Sequence, residues 1–236
     1  MQAQNKVTPG INDSPREIAV FDIDGTIVDS LPFAYKGICG ACEKFSFKQP
    51  LLEEIRMVYD PSDRFRNFYR ALGVPEEMLD DFSSTVHKII SKDMRSNKPD
   101  LIPTAAQILR IMKNKGIDLK ILTLAKHERT IYKLGESLYK EVFTEFIPSE
   151  GNKIIALGKV KQCYPHSSVT YVGDAVSDGE AALAAGVRFI GLATPYSYSQ
   201  ESKIIEFARK NIEKARYATS HFHMLSVYDS FVNSAE

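Results

Sequence analysis

Two apolar stretches of the chain stop abruptly at aspartates, and the pattern around them is the same. Residues 18–21 form a continuous apolar run that leads directly into Asp22 and Asp24, and residues 168–172 lead in the same way into Asp174. Continuous apolar runs are typical of parallel strands that are covered on both faces. Because parallel sheets bind ligands in the crevice at the carboxyl ends of their strands, both stretches predict an active site at that edge.

Strand and helix patterns alternate through the rest of the chain, which indicates an α/β fold. Short apolar runs predict further strands at 119–124, around 142–147 and at 187–192, and helical spacing predicts helices over 104–115 and 127–139 and from about Lys153. Beyond Gln200, apolar residues recur at helical spacing and predict one helix that continues through Ile212 to Ala215.

Residues 31–99 differ from the rest, because they contain no strand-like apolar run and show several helical patterns separated by proline and glycine. We interpret them as a helical insert. Residues 1–16 show no periodicity and are interpreted as a flexible leader. The predicted core domain therefore consists of residues 17–30 and 100–236.

The amino-acid composition indicates what kind of partner the protein binds. The chain has 236 residues, of which 44% are hydrophobic, so it can form one sizeable core and a smaller second domain. Lys plus Arg and Asp plus Glu both total 30, which leaves no charge footprint for nucleic acid or an anionic membrane. We therefore expect a small-molecule substrate. The composition carries no information on oligomeric state.

Targeting and cysteine patterns predict a cytoplasmic protein. The first residues contain no apolar signal-peptide region, and no later run approaches the roughly 20 apolar residues of a membrane helix. The three cysteines do not form a disulfide framework. Cys39 and Cys42 are spaced as C-x-x-C, but no second such pair exists, so we interpret them as free, partly buried thiols and not as a redox or zinc site.

Several charged residues are candidates for chemistry. Asp22 and Asp24 would point to the same face of a strand and repel each other, which predicts a bound metal, a protonated acid, or both; the alternative is an Asp-rich turn. Lys153 lies in the first turn of a predicted helix, where the helix dipole disfavours a cation, so we expect an anionic partner. The alternative is an ordinary exposed lysine.

Arginines of the insert are candidates for binding a substrate anion. Arg56, Arg64 and Arg66 lie near a proline turn with aromatic neighbours, and guanidinium binds carboxylate or phosphate with two hydrogen bonds. The alternative for each of them is a solvated helix face.

The motifs together resemble those of the haloacid dehalogenase-like (HAD) hydrolases. Asp22-Ile23-Asp24-Gly25-Thr26 is similar to the first motif of that family, and Thr123, Lys153, and Asp174 with Asp178 follow in the order of the other three. The insert directly after the first motif resembles the phosphoglycolate phosphatase and β-phosphoglucomutase branch, whose cap domain occupies that place. The resemblance implies a doubly wound, mostly parallel, Rossmann-like sheet with a helical cap domain inserted after the first strand.

The resemblance also implies residue roles. Asp22 would attack phosphorus and become an aspartyl-phosphate. Asp24 would protonate the leaving oxygen and later activate water as a general base. Thr123 and Lys153 would bind the phosphoryl oxygens.

A magnesium site is implied in the same way. Family members bind Mg²⁺ through the equivalents of the Asp22 carboxylate, the Asp24 backbone carbonyl and Asp174, with Asp178 in support. The prediction is a Mg²⁺-dependent phosphatase of a small phosphorylated metabolite. The alternatives are a phosphomutase of the same family and a non-catalytic regulatory or binding protein. The latter is motivated by Leu124 next to the second motif and by the missing proline after the motif lysine.

Overall fold

A parallel six-stranded sheet forms the centre of the part of the chain that the computed structural model describes, residues 16–61, 65–149 and 151–233. The strands are β1 (Glu17–Phe21), β2 (Asp118–Thr123), β3 (Glu145–Pro148), β4 (Ser168–Gly173), β5 (Arg188–Leu192) and β6 (Ala215–Ala218). Their order is β3-β2-β1-β4-β5-β6, and each neighbouring pair is parallel. The chain winds outward from β1 in one direction and from β4 in the other. The predicted doubly wound α/β fold is confirmed.

Helices surround this sheet. Between β1 and residue 99 lie α1 (Leu31–Lys44), α2 (Leu52–Val58), α3 (Arg66–Ala71) and α4 (Leu79–Ser96), with a 3₁₀ turn at Glu76–Met78. The sheet helices are α5 (Ala105–Asn114), α6 (His127–Leu134), α7 (Glu136–Val142), α8 (Lys153–Cys163), α9 (Val176–Ala184), α10 (Glu201–Lys210) and α11 (His221–Asn233). Among the described residues, none of the helices combines the length and the hydropathy needed to cross a membrane.

The core lies on both faces of the sheet, as the continuous apolar run of β1 requires. Ala19 and Phe21 join the apolar cluster beneath α5 and α11, whereas Ile18 and Val20 join the cluster beneath α8 and α9. All four side chains are fully buried. Successive side chains of a strand point to opposite faces, so a strand covered on both sides must be apolar at every position.

The helical insert has an apolar cluster of its own. Phe82 and Val86 of α4 are buried in it together with residues of α1, α2 and α3. Helices α1 and α4 approach closely because α1 carries Gly37 where they cross: a Cβ at Gly37 would lie 2.6 Å from Ile90 Cγ1. The predicted inward face of α4 therefore packs within the insert.

Two helices end earlier in the structure than the sequence pattern predicts. Helix α10 ends at Lys210, and Ala215 begins β6, where the spacing predicts a helix through Ile212 to Ala215. Ile212 is 62% exposed, whereas Ala215 pairs with Phe189 of β5 at the edge of the sheet. A few apolar residues at helical spacing do not distinguish a long helix from a helix, a turn and a strand, and here pairing with β5 decides.

The predicted helix over residues 127–139 is divided into α6 and α7 at Gly135, which has a φ of +87°. Only glycine adopts such a backbone conformation readily, so the helix cannot continue through it. Except for Arg16, the predicted leader lies outside the described residues.

Candidate active site

The predicted site residues come together where the sheet reverses its winding. Strands β1, β2 and β4 are neighbours, and each leads at its carboxyl end into one of the motifs. A cavity of about 160 Å³ lies above these ends, between the sheet and the helical insert. Its lining includes all six residues of the four motifs: Asp22, Asp24, Thr123, Lys153, Asp174 and Asp178.

The loop after β1 is shaped to meet the loop after β4. Gly25 has a φ of +73°, and a Cβ there would lie 2.2 Å from Asp174 Oδ2, so only glycine fits. The Thr26 hydroxyl donates a hydrogen bond to Asp174 Oδ1 at 3.0 Å. Buried His221 bonds through Nε2 to the Thr26 carbonyl oxygen at 2.8 Å. The glycine and threonine of the first motif therefore join its loop to Asp174.

Lys153 lies between two carboxylates. Its Nζ donates to Asp22 Oδ2 and to Asp178 Oδ1, both at 2.7 Å. Asn152 begins α8 by accepting a hydrogen bond from the Ile155 amide, and this cap sets the direction of the first turn. Burial alone would lower the pKa of Lys153, but the two carboxylates outweigh it and hold the pKa well above the usual value. These carboxylates are the anionic partners expected for a lysine in the first turn of a helix.

Asp178 is held by donors on both of its oxygens. Oδ2 accepts from the backbone amides of Asp174 and Ala175 at 3.2 and 3.1 Å, and Oδ1 accepts from Lys153 and from the Tyr171 hydroxyl at 3.4 Å. This carboxylate shapes the turn between β4 and α9 and orients Lys153. Its remaining capacity to bind another group is smaller than that of Asp22 or Asp174.

The carboxylates outnumber the cations that face them. Burial and the Asp178 charge raise the pKa of Asp22 to about 6 even though Lys153 opposes this shift. Burial, with Asp178 and Asp22, raises the pKa of Asp174 well above its usual value. Crowded carboxylates in a buried site favour either a shared proton or a bound cation.

This cluster has the composition of a site for a hard cation. Oxygen atoms of Asp22, Asp174 and Asp178 lie within 4.8 Å of one another. Carboxylate oxygens are the ligands that Mg²⁺ prefers, and a divalent ion would offset the excess negative charge. The residues present therefore fit the metal that the motifs predict.

Asp24 has a partner that the sequence analysis missed. Lys133 of α6 donates to both carboxylate oxygens of Asp24, at 2.5 and 2.7 Å, and the Lys133 side chain is only 7% exposed. Burial alone would raise the pKa of Asp24, but Lys133 outweighs it and leaves the pKa below the usual value. The signal that could have revealed Lys133 is its place on the inward face of α6, beside buried Thr130 and Leu134.

A second missed residue follows β5. The Tyr198 amide donates to Asp174 Oδ2 at 2.6 Å, and the Tyr198 hydroxyl is 3.1 Å from the Ser30 hydroxyl. Its ring lies 4.8 Å, centroid to centroid, from the ring of Tyr59 in the insert. No periodicity or motif in the sequence marks this tyrosine.

The second motif contributes a buried threonine and an apolar neighbour. The Thr123 side chain is buried at the end of β2, and its hydroxyl accepts a hydrogen bond from the Ala125 amide at 3.3 Å. Leu124 lines the same cavity and is 43% exposed. Leu124 therefore adds an apolar surface beside the carboxylates and does not fill the space between them.

Two of the candidate arginines, Arg56 and Arg66, have partners other than the aspartates of the site. Arg56 is buried and binds backbone carbonyls of the 194–199 loop together with Glu53 and Glu201. Arg66 pairs with Glu76 and Asp80 on the surface of the insert. Arg64 lies outside the described residues. The geometry thus assigns Arg56 to a contact between the insert and the core.

Cys39 and Cys42 are free thiols in α1, of which Cys42 is buried. This agrees with the interpretation of the pair as free, partly buried thiols.

Comparison with known proteins finds relatives from the branch that the motifs resemble. Phosphoglycolate phosphatase of Pseudomonas putida is 25% identical over an alignment 196 positions long, which covers 78% of this chain and 71% of that protein. Phosphoglycolate phosphatase of Mannheimia succiniciproducens is 26% identical over an alignment of the same length, which covers 76% of this chain and 86% of that protein.

Solved structures show the same fold. A haloacid dehalogenase-like family protein from Streptococcus pneumoniae superposes with a TM-score of 0.72 at 15% identity, covering 90% of this chain and 98% of its own. The family profile described as haloacid dehalogenase-like hydrolase matches residues 19–192, which include all four motifs. This chain therefore belongs to the haloacid dehalogenase-like hydrolases.

Proposed function

We propose that the protein is a Mg²⁺-dependent phosphatase that hydrolyses a small phosphorylated metabolite through an aspartyl-phosphate on Asp22. The observation that carries the proposal is the contact of Lys153, whose side chain is 13% exposed, with both Asp22 and Asp178 beside Asp174. An isolated carboxylate repels a phosphate ester, whereas a carboxylate beside a fixed cation can approach it. The names of the two curated relatives support the same reaction class.

In the proposed reaction Asp22 and Asp24 act in sequence. A carboxylate oxygen of Asp22 forms a bond to phosphorus while the ester bond breaks, and the leaving oxygen takes a proton from Asp24. Asp24 then takes a proton from water, whose oxygen attacks phosphorus and releases inorganic phosphate and free Asp22. Lys133 favours the ionised form of Asp24. We therefore expect Asp24 to be protonated only in the substrate complex.

We assign the phosphoryl oxygens to Thr123 and Lys153, which both line the cavity beside Asp22. For Mg²⁺ we assign the Asp22 and Asp174 carboxylates and the Asp24 carbonyl, with Asp178 orienting Lys153. When bound, Mg²⁺ would offset negative charge on the phosphoryl group and on the carboxylates. In this proposal Lys153 keeps Asp22 ionised and directed toward phosphorus.

We also propose that residues 31–99 act as a cap that excludes water from the cavity. The support for this role is the lining itself. Insert residues such as Ile38, Phe68 and Val86 face the same cavity as Asp22. In this proposal the core supplies the chemistry and the insert selects the substrate.

The test is release of inorganic phosphate from a panel of phosphate monoesters, with Mg²⁺ and with EDTA, for the wild type and for Asp22→Asn. We expect Mg²⁺-dependent release that falls at least about 1,000-fold in Asp22→Asn, because the amide cannot form the aspartyl-phosphate. The matched control is Asp229→Asn, the same change at an exposed residue that pairs with Lys115. It should retain wild-type activity.

Two results would contradict the proposal. Asp22→Asn with wild-type turnover would remove Asp22 as the nucleophile, and turnover that is unaffected by EDTA would remove the metal. Formation of an isomerised sugar phosphate without phosphate release would point to the phosphomutase instead.

A further inference from the structure

We infer that the organic part of the substrate is uncharged and largely apolar, and no larger than a short alkyl chain. This inference rests on the proposed phosphatase function and concerns the substrate class of that same site. It differs from what the names of the curated relatives would suggest, because phosphoglycolate carries a carboxylate on its organic part.

The first support is the cavity wall opposite the carboxylates. The part supplied by the helical insert is mainly aliphatic and aromatic, and includes Ile38, Ile55, Phe65, Phe68, Val86 and Ile90. Tyr198 and Leu124 extend this apolar surface on the core side. Such a wall stabilises a bound ligand by burying apolar area, and it offers little to a strongly hydrated group.

The second support is the distribution of charge. In the described part of the lining, the only cationic side chain is Lys153, which already contacts Asp22 and Asp178. A second anionic group on the substrate would be buried near several carboxylates without a cation of its own, which is costly. Both described candidates for an anion clamp, Arg56 and Arg66, are engaged elsewhere.

The polar groups that remain in the wall are suited to neutral partners. They are the hydroxyls of Tyr59 and Tyr69 and the imidazole of His87. Burial raises the pKa of Tyr59 well above its usual value and that of Tyr69 to about 12, so both hydroxyls stay neutral. The Tyr59 hydroxyl can bind one alcohol or carbonyl group of a substrate, whereas the Tyr69 hydroxyl already contacts the Ser83 side chain, and neither supplies a fixed positive charge.

The size of the cavity limits the organic group. The whole cavity, including the part beside the aspartates, has a volume of about 160 Å³, close to that of an engineered protein cavity of roughly 150 Å³ that binds benzene, so the phosphoryl group leaves room for no more than a short alkyl chain. The phosphoryl group would lie at the aspartates, and the organic group would extend toward the insert. Long chains and bulky sugars would have to displace the wall.

The experiment compares kcat/KM for phosphate esters that differ in charge and length, using the full-length wild type with Mg²⁺. The series is ethyl, propyl and butyl phosphate, with phosphoglycolate as the anionic match to propyl phosphate and glucose 6-phosphate as the bulky polar ester. We expect kcat/KM to rise about fourfold for each methylene, which corresponds to the transfer of one methylene from water. Propyl phosphate should exceed phosphoglycolate by at least about 100-fold.

A second comparison tests the wall itself. Ile90→Lys places a cation on the wall at a partly exposed position of α4, and urea unfolding checks that the contact with Gly37 of α1 tolerates the change. It should lower kcat/KM for butyl phosphate and raise it for phosphoglycolate by about 10-fold each. Arg64→Met should leave the preference of the wild type unchanged.

The outcomes separate the inference from the proposed function. A preference for phosphoglycolate that Arg64→Met abolishes would overturn the inference, because Arg64 would then bind the substrate carboxylate, while the phosphatase would stand. A preference for glucose 6-phosphate over the alkyl esters would overturn it in the same way. Absence of phosphate release from every ester would overturn both.

Discussion

Two lysines, Lys133 and Lys153, contact three of the four aspartates of the site. Lys153 forms ion pairs with Asp22 and Asp178, and Lys133 forms an ion pair with Asp24. Without Lys133, Asp24 would be a largely buried carboxylate close to Asp22 with no cation of its own. Lys133 is therefore as much a part of the site as the motif lysine, although it lies outside the four motifs.

Replacing Lys133 by Met should destabilise the protein by about 1.5–3 kcal/mol, the usual range for a lost hydrogen bond to a charged group. The methionine fits the apolar surroundings of α6, so the loss reports the contact with Asp24. Urea unfolding would measure the change in the free energy of unfolding. The control is Lys140→Met, which removes an exposed pair with Glu136 and should cost less than about 0.5 kcal/mol. Equal losses in the two variants would mean that the Asp24 contact contributes no more than a surface ion pair.

Helix α2 reaches from the insert to the loop that carries Tyr198. Arg56 donates to the carbonyls of Ser197 and Thr194 at 2.9 and 3.1 Å, and its side chain is only 5% exposed. That loop in turn delivers the Tyr198 amide to Asp174. An arginine suits this position because its planar group donates several hydrogen bonds in fixed directions, whereas a lysine donates from a single atom.

Arg56→Met should therefore lower the free energy of unfolding by about 3 kcal/mol, because buried carbonyls and the Glu201 carboxylate lose their donor. It should also weaken Mg²⁺ binding, measured by calorimetry, through the loosened Tyr198 loop. Arg70→Met is the matched control, an exposed insert arginine paired with Glu76, and should cost less than about 1 kcal/mol. Mg²⁺ affinity that is equal in Arg56→Met and the wild type would disprove the link between the α2 contact and the metal site.

For the protein as a whole, the carboxylate cluster makes the free energy of unfolding depend on pH. Asp22 has a folded-state pKa of about 6 against an ordinary value of 3.8. Between these values the folded protein holds a proton that the unfolded chain releases, so the free energy of unfolding falls as the pH rises toward and through 6. A divalent ion at the cluster would oppose this loss by binding only the folded state.

We expect the difference in unfolding free energy between the wild type and Asp22→Asn to change by about 2 kcal/mol from pH 4.5 to 7.5 in EDTA, with the wild type losing stability. Urea titrations at several pH values would measure it. Asp229→Asn should follow the wild type throughout. Saturating Mg²⁺ should restore the lost unfolding free energy of the wild type at pH 7.5. If the difference in unfolding free energy did not change with pH, the neighbours of Asp22 would not raise its pKa.

The sequence alone determined the α/β class, the strands that lead into aspartates and the residues that line the cavity floor. These follow from local signals: a strand buried on both faces must be apolar at every position, and its end carries the polar residues of the site. The order of the four motifs was sufficient for the family, which the profile match confirms.

The tertiary structure decided which charges meet. Lys133 and Asp24 are 109 residues apart, and Arg56 and Thr194 are 138 apart, so no local pattern relates them. The same holds for β6, where apolar residues at helical spacing form a strand because the edge of β5 needs a partner. Partners of buried charges and of sheet edges are set by packing between distant segments, and packing exists only once the chain has folded.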